Sequence, residues 1–250
     1  MKIEEINLKT NNNIVMTAYI LDMEPGIKSN LTKRPAVLIF PGGSYHYTSN
    51  REAEPIAMSF LAEGFNAFIL RYSVGKNAQF SEALQDAEEA LQLIREKADD
   101  WYVDQNKITV AGFSAGGHLA AALGTMGAIR PNALLLGYPC ILDKESLAFR
   151  VPNVDEHVDA MTPPTFLFST FEDDVVPIEH SLRFLKALDD KNIPFESHIF
   201  QYGPHGFSLG KYHTSFGTEN SIDSDFAQWL PMSLAWLHRT VNVFSKKPED

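Results

Sequence analysis

Apolar positions in this chain fall into two kinds of segment that alternate along its length. The continuous apolar run 36–40 and the largely apolar stretches 66–72, 108–111 and 133–138 show no regular polar alternation, the pattern of strands covered on both sides. Segments 165–170 and 195–200 read as two further strands. Between the runs, apolar residues recur at helical spacing: Ala53, Ile56, Ala57, Phe60 and Leu61, then Leu84, Ala87, Leu91 and Ile94 with acidic residues opposite. The first of these helices is expected to stop at Gly64. Residues 115–123, 178–188 and 226–237 read as three more helices. At the N-terminus, 3–8 and 14–21 flank Thr10-Asn11-Asn12-Asn13 and predict an antiparallel hairpin; 25–34 is read as a polar loop. Strands and helices in this rhythm predict an α/β fold with a mostly parallel sheet and helices on both faces. With no repeat, low-complexity tract or linker, 1–250 reads as one domain.

Composition narrows the picture by exclusion. With 44% hydrophobic and 21% charged residues among 250, the chain has the make-up of a soluble globular protein. A formal net charge of −11, uninterrupted by any Lys/Arg-rich run, argues against nucleic acid or an anionic membrane as partner. One cysteine, Cys140, excludes an internal disulfide, and its apolar neighbours favour a buried structural thiol over a nucleophile. Glu4 and Glu5 stand where a signal peptide needs a positive start, and no apolar run has membrane-spanning length. The expectation is a cytoplasmic protein, a monomer or small homo-oligomer.

The chemistry enters at Gly112-Phe113-Ser114-Ala115-Gly116, between the apolar run 108–111 and the helix-forming stretch 115–123. A strand, a tight Gly-x-Ser-x-Gly turn and a helix put Ser114 on a sharp corner with small neighbours, the setting of a nucleophile elbow. A serine hydroxyl attacks only when a base takes its proton, and the base needs a third group to orient it. On a sheet of this kind the chain order is Ser, acid, His. The acid candidates are Glu172, Asp173 and Asp174, just past strand 165–170, and spacing alone does not separate them. Of the 8 histidines, His205 has the required position: it follows strand 195–200 and the acidic loop, between Pro204 and Gly206. His213 is its rival. His118 lies one turn into the elbow helix, too close in sequence to swing back to Ser114, and reads as a packing or hydrogen-bonding residue; His180 and His238 read as helix-end residues. Pro41-Gly42-Gly43-Ser44-Tyr45 follows strand 36–40, and its glycines suit backbone N–H groups that hold a developing oxyanion, with the N–H of Ala115 as a further donor. No cluster with metal-ligand spacing is present, and the chemistry calls for no metal or organic cofactor. Tyr45, Tyr47, Phe113 and Phe207 could stack on a sugar ring or simply pack, and the two readings stand level.

Taken together these residues resemble the α/β-hydrolase fold, and more narrowly the small carboxylesterases of the acetyl-xylan esterase and feruloyl-esterase-like (BD-FAE) type. The matching stretches are 40–45, 51–57, 70–74, 112–120, 137–139 and 204–209. The resemblance implies Ser114, Asp173 and His205 as the catalytic residues, because the family's Asp-x-x-Val-Pro pattern falls on Asp173, Val176 and Pro177. It implies Gly43, Ser44 and Ala115 as oxyanion donors, although Pro41 stands where many relatives have His. It also implies a short lid, 141–164, over an open cleft. The activity implied is hydrolysis of short-chain esters, acetyl esters first among them, of a small molecule or oligosaccharide such as xylan fragments. An amide-cleaving or arylformamidase-like enzyme is the first rival, and a non-catalytic ligand-binding relative the second.

Overall fold

A computed structural model describes residues 1–23, 32–217 and 219–241. Most of the polar loop expected at 25–34, residues 25–31, lies outside the described residues, and Arg34 itself opens a strand. The strands are β1 (Lys2–Asn7), β2 (Val15–Ile20), β3 (Arg34–Phe40), β4 (Asn66–Arg71), β5 (Val103–Phe113), β6 (Ala133–Gly137), β7 (Thr165–Thr170) and β8 (Phe195–Phe200). They form one sheet in the order β1-β2-β4-β3-β5-β6-β7-β8. The hairpin β1–β2 is antiparallel and β2 joins β4 antiparallel; every pairing from β4 to β8 is parallel. The helices are α1 (Glu54–Ala62), α2 (Phe80–Glu96), α3 (Ala115–Met126), α4 (Glu179–Asp190) and α5 (Trp229–Thr240). A short 3-10 turn, Phe226–Gln228, precedes α5, so the helix expected from 226 begins three residues later.

The apolar runs work because alternate side chains of a strand point to opposite faces. In β3, Ala36, Leu38 and Phe40 enter one core while Val37 and Ile39 enter the other. The first core is closed by α2, α3 and α4 through residues such as Ile94, Leu119 and Phe184; the second by α1 and α5 through Phe60 and Leu237. Burying each such side chain contributes about 1.5–3 kcal/mol. An exposed ion pair such as Lys97–Asp100 contributes about 0–1 kcal/mol. Packing on the two faces, not surface charge, therefore holds the site's supports in place.

The strand order also decides where a ligand fits. β3 lies between β4 and β5, and the helix after β3 covers one face while the helix after β5 covers the other. The carboxyl ends of β3 and β5 are left with a crevice between their outgoing chains, the switch point at which such sheets bind ligands. Gly42, Gly43 and Ser114 all sit there.

Candidate active site

Ser114 occupies the step between β5 and α3 with φ 53° and ψ −119°. A non-glycine residue in that region carries roughly 1–3 kcal/mol of strain, so the surroundings must enforce it. Here its N–H donates to Gly137 O at 3.0 Å, and its carbonyl accepts from His118 N and Cys140 N at 3.0 Å each. The flanking glycines make the corner fit. A Cβ on Gly112 would lie 2.2 Å from Gly116 O, and one on Gly116 would lie 2.0 Å from Phe40 O. Any side chain at either position would push β3, β5 and α3 apart.

His205 and Asp173 come to this corner from the far side of the sheet. The loop after β7 and the loop after β8 are tied by Phe171 N–H to Phe200 O at 2.8 Å and by Thr170 Oγ1 to Gly203 O at 2.8 Å. Their side chains complete a continuous chain: Ser114 Oγ lies 2.7 Å from His205 Nε2, and His205 Nδ1 lies 2.7 Å from Asp173 Oδ2. The other Asp173 oxygen, Oδ1, accepts the N–H groups of Val175 (3.0 Å) and Val176 (2.7 Å). Asp173 is buried, whereas Glu172 and Asp174 are exposed, which separates the three carboxylates that spacing left open. His213 is exposed on a 3-10 turn, Tyr212–Thr214.

The turn after β3 runs through positive φ at Gly43 (133°), Ser44 (53°) and Tyr45 (59°). It is closed by His46 N–H to Gly43 O at 2.8 Å and Ser49 N–H to Gly42 O at 2.8 Å. Gly42 spends its N–H on Glu52 Oε2 at 2.8 Å, whereas Gly43 and Ser44 contribute none to these bonds. Gly43, Ser44, Ser114 and His205 line a cleft of about 370 Å³ together with residues 47–52, Gly206 and Phe216. The segment 141–164 leans on the same turn, with Ala148 N–H on Ser44 O at 3.0 Å and the Phe149 ring 4.7 Å from Tyr45.

The aromatic candidates divide. Tyr45, Phe113 and Phe207 are buried in the cores, so packing accounts for them and stacking on a ligand does not. Tyr47, 62% exposed, stands on the cleft. Phe216, which the sequence pattern did not single out, faces it with the Arg51 guanidinium 3.5 Å above its ring. Glu52 was missed as well. It is 3% exposed, and its Oε1 accepts from the Tyr138 hydroxyl at 2.5 Å. Burial raises its carboxyl above the usual range, opposed by the Tyr138 hydroxyl and the Gly42 N–H. The only available sequence signal was its place beside Arg51 in the stretch 51–57.

The remaining titratable groups near the elbow serve the scaffold. His118 takes the Tyr45 hydroxyl on Nδ1 (2.8 Å) and faces Pro152 O with Nε2 (2.9 Å); burial pushes its pKa down to about 4. His180 Nδ1 accepts the N–H groups of Ile141 (3.0 Å) and Leu142 (3.1 Å). Burial pushes the Cys140 thiol up to about 12, which leaves it unsuited to nucleophilic attack. Among the described residues no group of three or more His, Cys, Asp or Glu side chains is placed to hold a metal ion, and no helix is long and apolar enough to cross a membrane.

Comparison with known proteins places this geometry. The BD-FAE family model matches residues 24–130 and the prolyl oligopeptidase family model residues 137–221. The crystal structure of MGS-M1, an α/β hydrolase from a Medee basin deep-sea metagenome library, is 45% identical over 97% of this chain and 98% of its own, with a TM-score of 0.91. The carboxylesterase Cest-2923 from Lactobacillus plantarum is 26% identical over 98% of this chain and all of its own (100%), with a TM-score of 0.89. An acetylxylan esterase from Xylanibacter ruminicola is 26% identical over 219 residues, 78% of this chain and 45% of that protein. The chain spans between a third and a half of the length of the curated relatives it matches first.

Proposed function

We propose, because the chain belongs to the α/β-hydrolase esterases of the BD-FAE type, that its cleft hydrolyses short-chain esters, acetyl esters of sugars or xylan fragments among them, through an acyl-enzyme on Ser114. The observation that carries this reading is the unbroken series from Ser114 Oγ through His205 to Asp173, with both contacts at 2.7 Å, opening on the cleft. In it, Ser114 Oγ adds to the ester carbonyl as its proton passes to His205 Nε2. Asp173 accepts the Nδ1–H and so fixes the tautomer in which Nε2 is free to act as base. The N–H groups of Gly43, Ser44 and Ala115 receive the oxyanion, a kind of donor whose loss typically lowers kcat about 10²–10³-fold. As the tetrahedral species collapses, the C–O bond to the alcohol breaks and His205 returns the proton to the leaving oxygen. Water, deprotonated by the same imidazole, then releases the acid and regenerates Ser114.

The acetyl preference rests on the acetylxylan esterase among the relatives. The Tyr47 and Phe216 rings at the cleft suit a sugar face. The match of 137–221 to the prolyl oligopeptidase model favours amide cleavage as the second reading. Parallel assays on p-nitrophenyl acetate, acetylated xylo-oligosaccharides and aminoacyl p-nitroanilides decide between them. Turnover of the esters, lost at least about a thousandfold in Ser114→Ala with an unchanged melting temperature, is expected. Faster turnover of the anilides, or esterase activity that survives in Ser114→Ala, contradicts the reading.

A further inference from the structure

We propose that Glu52 is a positioning residue for this site: its carboxylate ties the oxyanion turn to the His205 loop and adds a negative charge near the imidazole. The inference rests on the reading of Ser114, His205 and Asp173 as a triad.

Carboxylates are almost never buried without a cationic partner. Among the described residues no Lys or Arg nitrogen forms an ion pair with Glu52, whose neighbour Arg51 directs its guanidinium elsewhere. Its two oxygens instead divide between two parts of the site. Oε2 takes the N–H of Gly42, immediately before the proposed donors Gly43 and Ser44. Oε1 takes the Tyr138 hydroxyl, which in turn accepts Ser208 N–H at 3.0 Å, three residues past His205. Arg51 completes the grip from the same 3-10 turn, Asn50–Glu52: its Nη2 donates to Gly206 O at 2.7 Å, and its carbonyl accepts Ser208 Oγ at 2.6 Å. Two consecutive residues thus hold the base's loop at 206 and 208 while one of them holds the oxyanion turn at 42.

A neutral amide could make one of the two bonds that Glu52 accepts, but not both with the same polarity, and it would carry no charge. Charge matters here because His205 becomes an imidazolium during turnover. The charged and titratable groups around His205 are Asp173 from the loop after β7, Glu52 and Arg51 from the 3-10 turn on the same cleft, and Tyr138 just past β6, whose ring meets the imidazole edge-on at 5.1 Å. Both Glu52 oxygens accept hydrogen bonds, from Gly42 N–H and the Tyr138 hydroxyl, which favours the charged carboxylate against the upward pull of burial, so Glu52 adds a second negative charge on the cleft that His205 lines.

Glu52→Gln in the full chain, assayed on p-nitrophenyl acetate between pH 5 and 9 beside Ser114→Ala, tests this. Expected are a kcat lowered about ten- to a hundredfold with KM within about twofold, and an acid limb of kcat/KM displaced to lower pH, since an imidazole that loses a nearby negative charge protonates less readily. A merely structural tie would leave that limb in place, so a wild-type kcat or an unmoved limb overturns the proposal. Should Glu52→Gln not fold, Tyr138→Phe carries the test by removing one of the two bonds. A kcat lowered at least about fivefold at constant KM supports the tie, and an unchanged kcat overturns it. An inactive Ser114→Ala beside a wild-type-like Glu52→Gln removes this inference alone, whereas an active Ser114→Ala removes the triad beneath it.

Discussion

Replacing Asp173 by Asn exchanges one carboxylate oxygen for an amide nitrogen, and the structure dictates which one. Oδ1 accepts two backbone N–H groups, from Val175 at 3.0 Å and Val176 at 2.7 Å. An asparagine that turned its nitrogen toward them would leave both without a partner, at about 1–3 kcal/mol each. Even the lower sum, about 2 kcal/mol, holds that flipped state to a few per cent of molecules. The carbonyl oxygen therefore stays with the valines and the NH₂ faces His205 Nδ1, where Oδ2 lay at 2.7 Å. Facing a donor, Nδ1 must accept, so the ring proton moves to Nε2. Nε2 then donates to Ser114 Oγ instead of taking its proton, and the base is lost while the packing is kept. A loss of about 10⁴ in kcat is expected, or about 5.5 kcal/mol of barrier. The assay is steady-state hydrolysis of p-nitrophenyl acetate by wild type, Asp173→Asn and the exposed-site control Asp174→Asn, each with a thermal melt. The control should match wild type. An Asp173→Asn enzyme that melts like wild type and keeps more than a tenth of its kcat would refute the tautomer argument and the role given to Asp173.

Two further outcomes follow from the scaffold. His118 is held neutral by burial, with its pKa pushed down from 6.5 to about 4, so the unfolded chain takes up the proton first as pH falls. Its contribution is complete above 6.5 and is lost as pH falls toward 4, which amounts to about 3 kcal/mol; urea unfolding at pH 7 and 4.5 should show a loss of that order that shrinks in His118→Gln, and equal losses in both proteins would contradict it. Gly116→Ala would place its Cβ 2.0 Å from the Phe40 carbonyl, so a melting temperature lowered by at least about 5 °C and greatly reduced esterase activity are expected, and a wild-type melt with full activity would show that the elbow does not need the close approach.

Much of this architecture could be read from residue order because its causes are local. The run 36–40 has no polar face because β3 is covered on both sides, and Gly112 and Gly116 mark the elbow because backbone occupies the space of their missing side chains. β5 proved longer than its apolar part: it starts at Val103, with the polar stretch from Asp104 to Lys107 hiding its first half. What pattern could not supply came from contacts distant along the chain. Glu172, Asp173 and Asp174 look alike in a row, and only the side chain that turns inward onto the Val175 and Val176 N–H groups reaches His205. Glu52 looks like any surface acid of a helix start until Tyr138, 86 residues later, places a hydroxyl on it. Tyr45, Phe113 and Phe207 carry the same aromatic signal as Tyr47, and burial in either core, which depends on the whole sheet, tells them apart.

The most direct test of the account is covalent. The protein is treated with a fluorophosphonate, digested, and the modified peptide sequenced by mass spectrometry in wild type and in His205→Ala. The expected result is one adduct per chain, on the Ser114 hydroxyl, formed at least about a hundredfold more slowly without His205. An adduct on another side chain, or labelling of Ser114 at an equal rate in the absence of the imidazole, would contradict the mechanism.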